Sequence, residues 1–216
     1  MSCQALYDFD GTLTSKDTTI ILLTELVKLR PWRVLGVGWY LLRMRLARRS
    51  EIKQNNKNKA IGFLIRSLGD NQISSAIDSF RSKVKSLYRR TVLKSVEQVI
   101  QEGGTVLIVT ASPSFAIQGC FSAASIFVIG TEFEKVQGIY TGRLQGRNCY
   151  GLEKVNRIYH WAESSGQALN VQSAWGDHPS DFEMLSLSAK RYWVVEKKLY
   201  EQILSRDPDA KLLEAD

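Results

Sequence analysis

Short apolar runs bounded by glycine, aspartate and other polar residues recur along this chain. Runs of this length are typical of buried strands, and stretches with apolar residues every three or four positions are typical of helices. The pattern predicts strands at 3–9, 105–109, 125–129, 171–175 and 191–195, and helices at 92–101, 114–121, 152–162 and 180–187. Because strand and helix alternate through residues 92–195, we predict an α/β fold built on a parallel sheet.

Residues 15–90 interrupt this alternation. Their periodicity predicts helices over 18–29, 32–49, 51–68 and 72–90, with breaks at the Arg30-Pro31 and Gly69-Asp70 steps. We therefore expect an all-helical cap domain at 15–90, inserted after the first strand of a core made of residues 1–14 and 91–216. A short hairpin at 131–144, with its turn at Gln137-Gly138, interrupts the alternation of the core.

The overall composition is that of an ordinary globular protein. With 216 residues, 44% hydrophobic and 24% charged, the chain can bury one sizeable core with an insert, and the composition excludes disordered and fibrous classes. Its three cysteines, Cys3, Cys120 and Cys149, lack the spacing of a zinc site or a disulfide framework. The first residues lack the basic and apolar regions of a secretory signal, so we expect a cytoplasmic protein with reduced thiols.

The net charge of +7 is concentrated in one segment. Residues 28–59 hold ten lysines and arginines against a single acid, Glu51, and so carry a charge of +9. The rest of the chain carries −2, because 19 basic residues there face 21 acidic ones. The basic balance is therefore a property of the helical segment and not of the predicted sheet.

Side chains able to do chemistry follow three of the predicted strands. Asp8 and Asp10 end the first strand, a Thr-Ala-Ser segment follows the second, and Asp177 and Asp181 follow the fourth. Because ligands of an open parallel sheet bind beyond the carboxyl ends of its strands, we expect these groups to meet at one edge. Carboxylates gathered in this way repel one another unless a cation binds, and Mg²⁺ prefers oxygen ligands. The sequence therefore predicts a magnesium site, next to a Gly11-Thr12 turn whose N–H groups can hold an anion.

These segments, in their order and spacing, resemble the four motifs of the haloacid dehalogenase superfamily of phosphatases. The first motif is matched by "DFDGTLT", the second by "VLIVTAS", the third by Lys154 in "CYGLEKVNRI" and the fourth by "GDHPSD". The resemblance covers essentially the whole chain and implies a Rossmann-like core with a cap. The position of the helical insert just after the first motif is similar to subfamily IB, which includes phosphoserine phosphatase.

The resemblance implies a reaction through an aspartyl-phosphate. Asp8 would be the nucleophile that attacks phosphorus, which divides a difficult hydrolysis into two easier steps. Asp10 would protonate the leaving group and then act as the base for the water that cleaves the intermediate. The Asp8 carboxylate, the Asp10 backbone carbonyl and Asp177 would hold Mg²⁺, with Asp181 as a further ligand or directly behind them.

The resemblance also implies groups that hold the phosphate and the leaving group. Gly11 lies in the phosphate-facing turn, Thr110 would give its hydroxyl to a phosphate oxygen, and Ala111 would give its backbone N–H. Lys154 would neutralise charge on the transferring phosphoryl group. Asp17 matches in spacing an acidic position that contacts the leaving group in the phosphoserine phosphatase-like subclass.

Three of these roles have a plainer structural alternative. Thr110 could serve only as a helix cap, and Asp17 could serve only as an acid in the first turn of a helix. Lys154 could be an ordinary solvated lysine, because Lys135 and Arg157 are other cations that could reach the site. The sequence leaves these alternatives open.

Residues 32–49 bear on the choice of substrate. Their apolar members follow helical spacing and arginines crowd the end of the segment, the apolar positions being Trp32, Leu35, Trp39, Leu42 and Leu46. The longest uncharged run, nine residues, is far shorter than the roughly 20 needed to cross a bilayer. Such a helix can lie on an anionic membrane, or its apolar residues can pack inside the cap while the arginines face solvent.

Three functional hypotheses follow. The favoured one is a Mg²⁺-dependent phosphomonoester phosphatase acting on a phospholipid precursor at the inner membrane face, where residues 32–49 make peripheral contact. Phosphatidylglycerophosphatase C, of the same subclass, also has an apolar-then-basic stretch here, but the apolar part is shorter in this chain and carries Arg33. The second is a soluble phosphatase for a small metabolite such as phosphoserine. The third is a catalytically silent nucleic-acid-binding module, which the intact acidic motifs argue against, so no nucleic-acid partner is expected.

Overall fold

A six-stranded parallel sheet forms the centre of the computed structural model, which describes residues 3–215. The strands are β1 (Gln4–Tyr7), β2 (Thr105–Pro113), β3 (Ile126–Thr131), β4 (Phe133–Val136), β5 (Ile139–Leu144), β6 (Val171–Gly176), β7 (Lys190–Val195) and β8 (Lys211–Glu214). The sheet has the order β3-β2-β1-β6-β7-β8, and β4 and β5 form a separate antiparallel hairpin. The strand order reverses between β1 and β6, which is where sheets of this kind bind ligands.

The described part of the chain forms nine α-helices. They are α1 (Thr19–Leu29), α2 (Val34–Leu46), α3 (Ser50–Ile65), α4 (Asp70–Val84), α5 (Arg90–Gln101), α6 (Ser114–Ile117), α7 (Leu152–Ser165), α8 (Phe182–Leu185) and α9 (Tyr200–Arg206). Helices α1 to α4, which we call the helical insert, follow β1 without an intervening strand. The predicted α/β fold class with helices inserted after the first strand is confirmed.

Several boundaries differ from the prediction, and three differences matter most for the site and the insert. Strand β2 continues to Pro113 instead of ending at 109, with a shift in its register against β3, so residues 110–112 are extended. Helix α2 is shorter than predicted, because Pro31 begins a 3₁₀ turn before it and Ala47 is extended after it. The pair α9 and β8 was not predicted. Strand β8 is a short edge strand with both ends exposed, so its four residues lack a clear apolar signal.

Strand β1 is buried on both faces, which explains its continuous apolar run. Tyr7 belongs to a large apolar cluster that continues into the insert, where it includes Leu64 and Phe80. Leu6 faces a smaller cluster on the opposite side of the sheet, formed with residues such as Ile158. Because the larger cluster is shared, the insert is anchored to the sheet by the same core that holds β1.

The β4–β5 hairpin packs against the insert, although the prediction from sequence assigned it to the core. Tyr140 exchanges two backbone hydrogen bonds of 2.8 Å with residues 67 and 68. A Cβ added at Gly62 of α3 would lie 2.0 Å from the carbonyl oxygen of Gly142, so only glycine allows this approach. Asp70 accepts hydrogen bonds from Tyr140 Oη at 2.8 Å and from Lys135 Nζ at 2.7 Å. Lys135 is therefore bound to the insert by an ion pair.

The apolar residues singled out in segment 32–49 do not pack inside the insert. All five are exposed to solvent, and they are Trp32, Leu35, Trp39, Leu42 and Leu46. The alternative in which they fill the interior of the cap is therefore wrong. No helix in residues 3–215 is long and apolar enough to cross a membrane.

Candidate active site

Three carboxylates meet where β1 and β6 end. Asp8 follows β1, Asp177 follows β6, and Asp181 ends the 3₁₀ turn after it. Because β1 and β6 are paired neighbours, their carboxyl ends lie side by side. One carboxylate oxygen from each residue lies within 4.8 Å of the others, and Asp8 and Asp181 are buried.

Lys154 joins this cluster from the first turn of α7. Its side chain is 2% exposed, and its ammonium donates hydrogen bonds of 2.6 Å to Asp8 Oδ1 and to Asp181 Oδ1. The two other cations considered from sequence lie elsewhere. Lys135 pairs with the insert, and Arg157 donates to two backbone carbonyls and pairs with a glutamate of its own helix. Of the three candidates, the structure brings Lys154 to the acidic cluster.

Burial and mutual repulsion raise the pKa values of two of these acids. Burial raises the pKa of Asp8 to about 7, and neighbouring carboxylates act in the same direction against the attraction of Lys154. Burial also raises the pKa of Asp177 well above its usual range, and the charges of Asp8 and Asp181 add to this. A bound cation would remove this penalty, and an all-oxygen donor set suits Mg²⁺. The residues present therefore fit a magnesium ion.

The turn after β1 is packed closely against Asp177. Gly11 has a φ of +87°, and a Cβ placed there would lie 2.2 Å from Asp177 Oδ2. Thr12 donates a hydrogen bond from Oγ1 to Asp177 Oδ1 at 2.9 Å. Glycine is thus required at position 11, both by its backbone conformation and by its closeness to the acidic cluster.

Thr110 and Ala111 lie on the extended end of β2. Thr110 is buried, and its Oγ1 accepts the N–H of Ser112 at 3.0 Å, which leaves its own hydroxyl hydrogen free to donate. Helix α6 begins only at Ser114, with Pro113 as its N-cap residue. Thr110 is therefore not a helix cap.

The Asp10 side chain links the insert to the β2 end. Its Oδ1 accepts hydrogen bonds of 2.7 Å from the backbone N–H and from the hydroxyl of Thr18, and its Oδ2 accepts one of 2.5 Å from Ser112 Oγ. Within the described residues, the acidic cluster consists of Asp8, Asp177 and Asp181, without the Asp10 carboxylate. The metal contact through the Asp10 backbone carbonyl stays a prediction.

The insert adds a buried lysine that the sequence analysis missed. Lys57 of α3 is 2% exposed, and its Nζ lies 3.3 Å from Ser112 Oγ, 3.9 Å from Asp10 Oδ2 and 3.8 Å from Asp17 Oδ1. A clear apolar period would have marked position 57 as inward-facing, but α3 has none. Asp17 also accepts the Thr19 N–H at 2.7 Å in the first turn of α1, so both interpretations of Asp17 are compatible with its position.

These groups line a pocket of about 270 Å³ between the sheet edge and α3. All nine residues predicted for the site line it, namely Asp8, Asp10, Gly11, Asp17, Thr110, Ala111, Lys154, Asp177 and Asp181. A wider cleft of about 990 Å³ adjoins the pocket, since Gln54, Tyr150 and His178 line both. Arg49 and Arg147 line the wider cleft but not the smaller pocket.

The fold and this site define a family. Residues 5–186 match the model of the haloacid dehalogenase-like hydrolases. Because the match covers most of the chain, this protein belongs to that family and is a hydrolase.

Several known proteins are similar to this one. Protein CicA of Caulobacter vibrioides (strain NA1000 / CB15N) is 26% identical over 194 residues, which are 86% of this chain and 82% of CicA. A crystal structure of a protein of unknown function from Bordetella pertussis Tohama I has a TM-score of 0.81 and 18% identity over the whole of both chains. A phosphoserine phosphatase in its apo form has a TM-score of 0.62 and 16% identity, covering 100% of this chain and 94% of that one. At these identities the two solved structures show the shared fold alone.

Proposed function

We propose that this protein is a Mg²⁺-dependent phosphomonoester phosphatase that acts through an aspartyl-phosphate. The observation that carries the proposal is the convergence of Asp8, Lys154, Asp177 and Asp181 at the point where the strand order reverses. A buried carboxylate beside a buried lysine and further acids provides a nucleophile, a counter-charge and oxygen ligands in one pocket.

The reaction has two steps. In the first, an oxygen of Asp8 attacks phosphorus, the bond from phosphorus to the leaving oxygen breaks, and Asp10 gives its proton to that oxygen. In the second, Asp10 takes a proton from water, the water oxygen attacks phosphorus, and the bond from phosphorus to the Asp8 oxygen breaks, which frees the Asp8 carboxylate and inorganic phosphate. Hydrogen bonds from Thr18 and Ser112 support this role, because they fix the orientation of the Asp10 carboxylate.

The pocket supplies charge and donors for the phosphoryl group. Gly11 and Ala111 offer backbone N–H groups, Thr110 offers its hydroxyl, and Lys154 offers its ammonium. Magnesium, held by Asp8, Asp177, Asp181 and the Asp10 backbone carbonyl, would offset the negative charge of the carboxylates and of the phosphate oxygens. Asp17 would face the leaving group.

We favour a phospholipid precursor such as phosphatidylglycerophosphate as the substrate. The cleft of about 990 Å³ next to the pocket gives room for a large leaving group, and Arg49 and Arg147 can face a second anionic group on it. Such a substrate would be reached at the cytoplasmic face of a membrane, through peripheral contact by residues 32–49. A small metabolite such as phosphoserine is the second candidate, because Asp17 at the edge of the pocket could pair with its ammonium group.

A substrate panel tests the proposal. Release of inorganic phosphate would be measured from phosphatidylglycerophosphate in detergent micelles, from phosphoserine and from a generic phosphomonoester, with Mg²⁺ and with excess EDTA. We expect Mg²⁺-dependent release, fastest from the lipid. Faster release from phosphoserine would contradict the lipid substrate and leave the phosphatase proposal standing. Turnover that survives EDTA would contradict the dependence on magnesium.

A further inference from the structure

Helix α2 has two apolar faces, and the inner one accounts for its packing in the insert. Val37 is buried, and the Tyr40 ring lies 6.1 Å from the Phe63 ring of α3. Gly36 also faces Phe63, since a Cβ there would lie 2.6 Å from its ring. These contacts hold α2 on α3 without using the five exposed apolar residues of the segment.

The outer face carries an unpartnered apolar stripe. Its members follow a three-four spacing along the 3₁₀ turn and α2, so they lie on one side of the helix. Their exposures are 73%, 85%, 59%, 48% and 71%, for Trp32, Leu35, Trp39, Leu42 and Leu46 in that order. We call these five residues the outer stripe. A contiguous exposed patch of large apolar side chains marks an interaction surface.

The charged residues within the segment of the outer stripe are all basic. Four exposed arginines lie at its C-terminal end, namely Arg43, Arg45, Arg48 and Arg49. The first acid after the stripe is Glu51, in the next helix. The partner of this face must therefore offer apolar depth for the stripe and negative charge for the arginines.

We propose that α2 docks flat on an anionic lipid bilayer, with the outer stripe among the upper acyl chains and the arginines at the phosphates. Tryptophans and arginines on one helix favour the boundary between headgroups and acyl chains. Nucleic acid would satisfy the arginines and leave the stripe in water. A second copy of the chain would cover the stripe, but each copy brings a segment of charge +9 to the contact.

The docked helix would place the substrate cleft near the headgroups. Arg49 lines the cleft and is three positions beyond Leu46, the last residue of α2. Three residues of chain reach at most about 10 Å, so the cleft begins close to the end of the outer stripe. That the cleft receives a lipid headgroup rests on the proposed function, whereas the docking itself does not.

Vesicle sedimentation of the full chain tests the docking. The vesicles would be phosphatidylcholine alone or phosphatidylcholine mixed with phosphatidylglycerol, at low salt. We expect binding to the mixed vesicles, with a blue shift of tryptophan emission, because Trp32 and Trp39 are exposed whereas Trp175 and Trp193 are buried. Changing both exposed tryptophans to phenylalanine should remove most of the shift and keep binding.

Two matched sets of variants give the proposal its sharpest test. Replacing three arginines with glutamine should weaken binding to the mixed vesicles roughly a hundredfold, with Arg43, Arg45 and Arg48 as the three. As a control, glutamine replaces three basic residues of the core, Arg90, Lys94 and Lys190. This variant loses the same charge and should bind the vesicles nearly as well as the parent chain. In the second set, serine replaces three residues of the outer stripe, Leu35, Trp39 and Leu42. This change should abolish the vesicle binding that the arginine variant retains. As a control, serine at three exposed apolar positions outside the stripe should not abolish it, at Ile20, Val136 and Tyr159.

Three outcomes would overturn the docking. They are no binding of the parent chain to mixed vesicles at low salt, equal losses in the test and control sets, or a dimer in sedimentation equilibrium that the stripe variant converts to monomers without any vesicle binding. Unchanged thermal midpoints in the serine variant would show that the insert is still folded. Vesicle binding is measured without turnover, so the docking proposal can fail while phosphate release persists. Equally, phosphate release can be absent while vesicle binding persists, which would contradict the proposed function alone.

Discussion

The acidic pocket and the outer stripe of α2 differ in how their residues are satisfied. In the pocket, Asp8 and Asp181 share Lys154, and Asp10 has three hydrogen bonds from neighbouring groups. On the outer stripe, five large apolar side chains are exposed to solvent. The charged side chains of the pocket find their partners within the fold. The stripe is incomplete within one chain, which indicates a partner outside it.

The two regions also differ in how the insert takes part. At the pocket, α3 contributes Lys57, whose ammonium is buried against core residues. At the stripe, α2 faces away from the core and is held only by its inner side. The insert therefore joins a buried charge-compensated site to an exposed basic and apolar surface.

The largest expected effect breaks the pocket. Asp8→Asn keeps the size of the side chain and removes its nucleophilic oxygen, so phosphate release should fall roughly a thousandfold or more. The measurement is kcat on a generic phosphomonoester, with Asp78→Asn as the control, because Asp78 is an exposed acid of the insert. Activity in Asp8→Asn close to the parent value would contradict the aspartyl-phosphate mechanism. Vesicle binding should be unchanged in both variants.

Magnesium removal should expose the repulsion among the buried acids. We expect saturating Mg²⁺ to raise the thermal midpoint of the parent chain, by an amount equivalent to about 3 kcal/mol at a hundredfold excess over its Kd. In EDTA, Asp177→Asn should raise the midpoint, because burial and the neighbouring charges of Asp8 and Asp181 raise the pKa of Asp177 and penalise its ionised form.

Thermal melts with Mg²⁺ and with EDTA measure both effects. The control is Asp209→Asn, whose side chain is 87% exposed. This control should keep the full response to Mg²⁺, whereas Asp177→Asn should lose most of it. A full Mg²⁺ response in Asp177→Asn would argue against the proposed ligand set.

A smaller effect is expected where the insert meets the pocket. Lys57→Met removes the ammonium next to Asp10 and Ser112 and keeps the length of the side chain, so kcat/KM should fall by roughly ten- to a hundredfold. Lys59→Met, an exposed lysine two positions along the same helix, provides the matched control. If both variants matched the parent enzyme, α3 would cover the pocket without contributing to its chemistry.

The smallest effect lies inside the insert, away from both regions. Hydrogen bonds from Lys28 and Lys83 lower the pKa of Glu25 to about 2. A lowered pKa means that the stabilisation is complete above the unfolded value near pH ~4.3 and is lost as the pH falls through about 2. Glu25→Gln should reduce the free energy of unfolding at pH 7 by about 1 kcal/mol, because exposed partners are screened.

Urea unfolding at several pH values measures this difference. The gap between the parent chain and Glu25→Gln should close as the solution becomes more acidic. A gap that stays constant down to the lowest pH would show that the Glu25 charge is not its cause. Phosphate release and vesicle binding at neutral pH should hardly change.

The sequence by itself determined those site residues that directly follow predicted strands. Asp8, Asp10 and Asp177 follow short apolar runs, and carboxyl ends of neighbouring parallel strands meet at one edge, so their convergence could be predicted without coordinates. Gly11 and Thr110 followed from the same rule. The α/β class followed from the alternation of strand and helix periods, since those periods reflect which faces are buried.

Only the tertiary structure decided which distant side chains complete the pocket and which helix face remains uncovered. The family resemblance pointed to Lys154 but left Lys135 and Arg157 as open alternatives, and the packing of α7 and of the hairpin separates the three. The burial of Lys57 could not be predicted from periodicity, because α3 lacks a clear apolar face. In α2 both faces are apolar, so periodicity could not tell the packed face from the exposed one. The choice depends on which neighbour each face meets, and local sequence does not contain that information.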